Sequence, residues 1–302
     1  MPARLAILYE HPRWFAGLFS ALRARGIEFE EWHAHSLVVD PGRSNWPDLV
    51  FNRMSASAAW RGHACGQFAV TELLSLLDEQ RVPVVNGSAA YAVEISKLRQ
   101  AAVFRRCGLR TPATRAANSP QTLVLAAREM RFPIVVKPNC GGAGSGIRRF
   151  ESLAELERGA ESVEFGADSI AVLQEYHAPR NGSITRVEIL DGQFLYAIRV
   201  EAAGFNLCPA DVCAVNGGLR VERVEIPAAM ETAALSVART ARLDIGGIEF
   251  LNDAATGEPI FYDINALSNF VANAPQVVGF DPVARLVDYL ARRLEAGIWA
   301  RR

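Results

Sequence analysis

Residues 132–147 read Phe-Pro-Ile-Val-Val-Lys-Pro-Asn-Cys-Gly-Gly-Ala-Gly-Ser-Gly-Ile. The apolar run at 134–137 predicts a short strand, and the four glycines among positions 141–146 predict a loop leaving it. Glycine lets backbone N–H groups approach an anion closely and adopt positive φ. No Gly-Lys-Ser/Thr follows, which excludes a Walker loop, and Ile147 stands where a dinucleotide fingerprint needs its third glycine. The competing reading is a flexible hairpin tip. Lys137, on the strand that feeds the loop, favours a loop that covers phosphate.

Lys137 stands out for a second reason. Lysine and arginine total 32, yet only Lys97 and Lys137 are lysine. Lysine is normally among the commonest residues, so this chain has been driven towards arginine. A surface ammonium is readily exchanged for a guanidinium. A compact, rotatable charge in a phosphate site is not, because the planar fork has a different reach and geometry. The two survivors are therefore candidates for ammonium groups that a site requires.

Upstream of the loop, strand and helix signals alternate. Strands are predicted at 5–9, 27–32, 48–52 and 82–85, the last closing on Asn86-Gly87, with helices at 14–25 and 68–79. Such alternation predicts a parallel sheet covered on both faces. From Ser88 the pattern changes: helices at 95–107, 121–130 and 153–160 flank strands at 134–137, 147–150 and 170–176. Three strand-like runs in series (184–190, 194–200, 221–226) precede a long helix at 228–243, a hairpin of 247–251 with 260–265, and a closing helix at 282–295. The fold class is α/β, turning α+β in the C-terminal part.

Composition excludes several function classes. The chain has 302 residues, 50% hydrophobic and 22% charged, with net charge −1. That suits about two domains, excludes a disordered chain and supplies no electrostatic reason for a nucleic-acid or anionic-membrane partner. No run approaches the roughly 18 apolar residues of a membrane span, and the N-terminus lacks a signal peptide's apolar stretch. Five scattered cysteines argue against a disulfide framework. A cytoplasmic globular protein is expected.

Two further constellations carry chemistry. Glu249 ends one strand of the predicted hairpin, and Asp263 and Asn265 alternate along the other. Residues two apart on a strand share a face, and hard oxygen ligands of this kind suit Mg²⁺ held together with substrate phosphates. A solvated hairpin is the alternative, but Ile260-Phe-Tyr-Asp-Ile-Asn-Ala is too apolar for a casual surface strand. Arg186 and Arg199 sit on neighbouring strand candidates among residues that favour burial, and a buried guanidinium needs an anion. Either Glu188 or Glu201 supplies it, or a transferring phosphate does.

In this order the pieces resemble the ATP-grasp superfamily, most closely its glutathione-synthetase-like, RimK-like branch. The resemblance covers nearly the whole chain, with seven motifs in register across positions 86–265. It implies an ATP-grasp fold: an N-terminal parallel α/β pre-ATP-grasp domain (1–95), a small lid subdomain (96–172) and a C-terminal subdomain (173–302), the last two clasping ATP. It implies that Lys97 and Lys137 bind ATP, with Gly142, Gly144, Ser145 and Gly146 as phosphate lid and Gln174, Glu175 and Tyr176 as the adenine-receiving strand. It also implies that Arg186 and Arg199 sit over the transferring phosphate and acyl group, that Asn206 lies beside the phosphates, and that Glu249, Asp263 and Asn265 hold Mg²⁺. The chain departs from the family at Asp263, where a glutamate is usual, and at Ile184, where an acidic ribose contact is common. Cys208 and Cys213 lack further zinc-spaced ligands and read as small hydrophobes.

The implied activity is ATP- and Mg²⁺-dependent ligation of a carboxylate to an amine through an acylphosphate. Its alternatives are an intramolecular, D-cycloserine-synthetase-type cyclisation and a nucleotide-binding regulator without ligase chemistry. Small carboxylate and amine substrates are expected at the carboxyl ends of the N-terminal strands, which nominates His11 and Arg53, the latter for a second carboxylate. The fold also admits a homodimer.

Overall fold

The computed structural model describes residues 4–142, 144–201 and 220–300. Its first unit runs β1 (Leu5–Tyr9), α1 (Ala16–Ala24), β2 (Phe29–His33), β3 (Leu49–Arg53), α2 (Ala64–Glu79) and β4 (Val84–Val85). The strands pair in the order β2-β1-β3-β4, all parallel. Leu5-Ala-Ile-Leu-Tyr9 is buried at every position because α1 and α2 cover opposite faces, as a parallel strand requires.

Helices α3 (Ser88–Glu94) and α4 (Lys97–Arg106) lead into an antiparallel sheet, β5-β8-β6-β7. This sheet contains β5 (Thr114–Ala117), β6 (Ile134–Pro138), β7 (Arg148–Phe150) and β8 (Ala171–Glu175), backed by α5 (Pro120–Ala127) and α6 (Leu153–Gly159). β6 alternates: Ile134 and Val136 join Leu123 and Leu156 in the core, which turns Val135 and Lys137 to the other face. β8 pairs along its whole length with β6, so the boundary expected at 172/173 falls inside a strand of this sheet.

A third sheet, β11-β10-β9-β12-β13, is also antiparallel. Its strands are β9 (Ser183–Leu190), β10 (Gln193–Glu201), β11 (Arg220–Arg223), β12 (Ile245–Asn252) and β13 (Pro259–Asn265). One face packs on α4 and on α7 (Ala228–Ala241). The other packs towards β1, α1, α8 (Ala274–Val278) and α9 (Pro282–Ala300). No helix among the described residues is long and apolar enough to cross a membrane.

Asn86 fastens the first sheet to the third. Its Nδ2 donates to the carbonyls of Ile245 (2.8 Å) and Ala266 (2.7 Å), and its Oδ1 accepts from the N–H of Asp244 (2.9 Å) and Ile245 (3.3 Å). Its φ of +52° is a conformation asparagine tolerates better than most residues. Asn86→Ala strips partners from buried backbone groups and is expected to cost roughly 3 kcal/mol of stability. Asn86→Asp should not rescue it, because a carboxylate would face two carbonyls. Chemical denaturation checks this; an unchanged midpoint would refute the clasp.

Candidate functional site

A cavity of about 280 Å³ opens between the three sheets. Lys97 and Lys137 reach it from different elements. Lys97 begins α4, whose N-cap is Ser96, with its hydroxyl accepting from the Arg99 N–H. Lys137 reaches it through the β6 alternation. Asn139 joins the two elements: its carbonyl accepts from the Lys97 N–H (3.2 Å), and its Oδ1 accepts from the Leu98 N–H (2.9 Å).

Opposite them, Arg186, Glu249 and Asp263 form one row across β9, β12 and β13, each directly opposite the next. Asn265 lies one step further along β13, opposite Gly247. A Cβ on Gly247 would sit 2.4 to 2.6 Å from the Arg186 guanidinium, so only glycine leaves that side chain room. In that space Arg186 Nε donates to Glu188 Oε1 (2.6 Å), Nη1 to Glu249 Oε1 (3.0 Å) and Nη2 to Ser268 Oγ (3.2 Å). The Asn265 amide donates to both Glu249 (3.0 Å) and Asp263 (3.2 Å), and Lys97 Nζ donates to Asp263.

The charges of this cluster set one another. Burial and the neighbouring Asp263 push Glu249 up to about 7. Asp263 goes the other way: burial opposes its charge, but Lys97 and Lys137 hold its carboxyl below the ordinary range. Burial works to lower Lys97, but Asp263 together with Glu94 and Glu249 more than offsets it, so Lys97 is raised. Lys137, buried and facing the positive Lys97, is lowered to about 8.

Two closely placed carboxylates and an amide fit a hard divalent cation, which would relieve the pressure on Glu249. No group of three His, Cys, Asp or Glu side chains able to hold a metal occurs among the described residues. This donor set would therefore share its ion with substrate oxygens.

Gly142, Gly144, Ser145, Gln174, Glu175 and Tyr176 also line the cavity. The Glu175 carboxylate accepts from the Arg131 N–H, and the Glu175 and Tyr176 N–H groups donate to Ala113 and Pro133 carbonyls. Gly146 does not line the cavity: it packs behind the loop, where a Cβ would meet Pro138 Cγ at 2.8 Å.

Arg199 departs from expectation through pleat parity. Ile198, not Arg199, stands opposite Arg186, so Arg199 points to the other face of the sheet, where it is exposed and paired with Glu222 (3.0 Å). Arg53 and His11 stop one layer short of the cavity. Arg53 is buried between Phe15 and Phe51 and donates to the Ser268 carbonyl and to Asn269 Oδ1 (2.9 Å). His11 stacks on Trp14 at 4.5 Å, and it is Trp14 that lines the cavity. Asn206, Cys208 and Cys213 lie outside the described residues.

Three cavity residues were not anticipated. Tyr262 is the extra residue of a β-bulge, since Glu249 pairs with Asp263 but Phe250 pairs with Phe261. The bulge lets its hydroxyl donate to Glu249 (2.9 Å). Glu94, at the end of α3, accepts from the Ala266 and Leu267 N–H groups (2.6 and 3.2 Å), and burial holds its carboxyl above the usual range. His177 lies 3.7 Å from Asp253.

A model of the RimK-like ATP-grasp domain matches residues 95–290. A "Probable alpha-L-glutamate ligase" of Serratia proteamaculans is 30% identical over 218 residues, 70% of this chain and 69% of that protein. A "D-alanine--D-alanine ligase" of Ruegeria pomeroyi is 28% identical over 64% of this chain and 62% of its own length. Among solved structures, the ATP-grasp ligase PsnB complexed with minimal precursor superposes with a TM-score of 0.69 at 20% identity, covering 95% of this chain and 98% of that one.

Proposed function

The chain belongs to the RimK-like ATP-grasp family, an ATP-using ligase that forms C–N bonds, and from that premise we propose that it joins a substrate carboxylate to an amine through an acylphosphate. The observation that carries this reading is the Arg186–Glu249–Asp263 row facing both lysines of the chain across one cavity.

In this reading the carboxylate oxygen attacks the γ-phosphorus of ATP and ADP leaves. The amine nitrogen then attacks the acyl carbon and phosphate leaves. Lys97 and Lys137 bind the phosphates, and Arg186 faces the transferring group, so the protein's part is mainly positioning and charge stabilisation. Glu249, Asp263 and Asn265 would hold Mg²⁺, which supplies neutralisation of phosphate charge when bound. Gly141, Gly142, Gly144 and Ser145 cover the phosphates and keep water from the acylphosphate, and Gln174, Glu175 and Tyr176 border the adenine end.

The test is ADP and phosphate release from ATP–Mg²⁺ across amino acids and small carboxylates, presented singly and in pairs. Release requiring one carboxylate and one amine is expected, with ¹⁸O passing from labelled carboxylate into phosphate. Release with one compound alone would instead mark either cyclisation or ligation of two copies of that compound, which the mass of the product separates. Turnover without label transfer would overturn the acylphosphate.

A further inference from the structure

We propose that Asn139 is a positioning residue for the nucleotide phosphates: its side chain holds Lys97 and Lys137 at a fixed spacing without itself reaching the cavity. The proposal rests on the ligase reading for what the two ammonium groups bind.

Asn139 is 4% exposed and does not line the cavity, so any effect it has on a ligand passes through its neighbours. It stands two residues beyond Lys137, just past the end of β6, and its bonds run to the first turn of α4. The first N–H groups of a helix have no partner within it. In α4 the Ser96 hydroxyl takes only that of Arg99 (3.2 Å). The N–H groups of Lys97 and Leu98 go instead to the Asn139 carbonyl (3.2 Å) and Oδ1 (2.9 Å). Ser96 Oγ donates to the same Oδ1 (3.2 Å). A residue following β6 thus completes the cap that the helix's own N-cap leaves unfinished.

The other end of the amide is held just as firmly. Nδ2 donates to Asp168 Oδ2 (2.6 Å), and Asp168 Oδ1 accepts from the Ile170 N–H (3.2 Å). The Asn139 N–H donates to the Ile170 carbonyl (2.9 Å). A backbone N–H only donates and a carboxylate only accepts, so the amide has a single orientation, and neither aspartate nor leucine reproduces it. Helix α4 is fixed in turn to the third sheet, by Gln100 on the Ile264 carbonyl (2.7 Å) and by Lys97 on Asp263. Asn139 therefore ties the strand that carries Lys137 to the helix that carries Lys97, and through that helix to the carboxylates opposite. Like charges in one buried site repel. Their spacing has to be imposed by the framework, and a misplacement of about 1 Å can cost about a hundredfold in rate.

The experiment is calorimetric titration of the full chain with a non-hydrolysable ATP analogue plus Mg²⁺, and separately with adenosine. Asn139→Ala is expected to weaken binding of the analogue by about ten- to a hundredfold, while adenosine, which has no phosphates, binds parent and variant alike. Asn139→Asp sets two carboxylates against each other and should weaken the analogue similarly. Combining it with Asp168→Asn exchanges donor and acceptor at unchanged net charge. Affinity should then return to within about threefold of the parent.

Parent-like affinity for the analogue in folded Asn139→Ala overturns the proposal, even where the unfolding midpoint falls, because Asn139 would then be only a helix cap. Equal weakening of adenosine overturns it as well, since the damage would not be confined to the phosphates. Should the alanine variant fail to fold, the aspartate variant and its exchange partner still decide: no recovery in the double variant overturns the proposal. A parent that binds no nucleotide removes the ligase reading and this proposal with it, an outcome distinct from a parent and variants that bind equally.

Discussion

Replacing Lys137 with alanine is expected to lower ATP-dependent ADP release by at least about a hundredfold, the scale seen when one preorganised donor to a developing charge is removed. Lys137 is buried beside a second ammonium, and this lowers it to about 8 in the free protein. A triphosphate binds the charged form more tightly, so its binding must raise that pKa. The sign of the pH dependence follows. Nucleotide affinity is full below about 8 and falls as pH rises beyond it, until the pKa of the bound state is passed. Calorimetry near pH 8.5 in buffers of different ionisation enthalpy should therefore record proton uptake on binding. Lys137→Met should abolish that uptake. Lys137→Arg should restore charge without restoring turnover, since a planar fork cannot take the place of a compact ammonium. Parent-like turnover in Lys137→Ala would remove Lys137 from the site.

The position of Lys137 was legible because it depends on local rules. Strand alternation with Ile134 and Val136 in the core leaves residues 135 and 137 on the other face. Local rules could not place Arg199, where the sequence shows two arginines on neighbouring strands but not the offset between them. Register is set by pairing across the sheet, and a shift of one residue exchanges the faces. Arg186 opposite Ile198 sends Arg199 to the far side. Tyr262 was hidden for the converse reason, since the bulge breaks the count of two on which alternation relies.

Gln100 shows a third limit. Its side-chain amide donates to the Ile264 carbonyl (2.7 Å) and accepts from the Ile264 N–H (3.3 Å), standing in for a neighbouring strand along the edge of β13. Glu94 caps the next two N–H groups of the same segment. Neither role leaves a motif, because the partners lie more than 160 positions away in the chain. The sequence could mark Asp263 and Asn265 as candidate ligands, but not what keeps their strand in place.

Asp263 offers the second large effect, and its removal acts in two directions at once. As half of the carboxylate pair, it should be needed for tight Mg²⁺ use. Asp263→Ala is expected to raise the Mg²⁺ concentration for half-maximal turnover at least tenfold and to lower maximal turnover by about a hundredfold. As the partner of Lys97 it also has a structural share, since removing one member of a buried ion pair typically costs about 3 kcal/mol. Part of that loss should be offset at Glu249, which Asp263 helps push up to about 7 and which would return towards the ordinary carboxylate range without it. Lys137, facing Lys97 with one less negative neighbour, should fall further below about 8. Asp263→Asn keeps the volume and one oxygen while losing the charge, so it breaks the ion pair without opening a void. If the Mg²⁺ requirement rises and stability falls in both variants, then Asp263 is both ligand and partner. An unchanged Mg²⁺ requirement in both would leave it as a structural counter-ion for Lys97, and the metal would have to be held elsewhere.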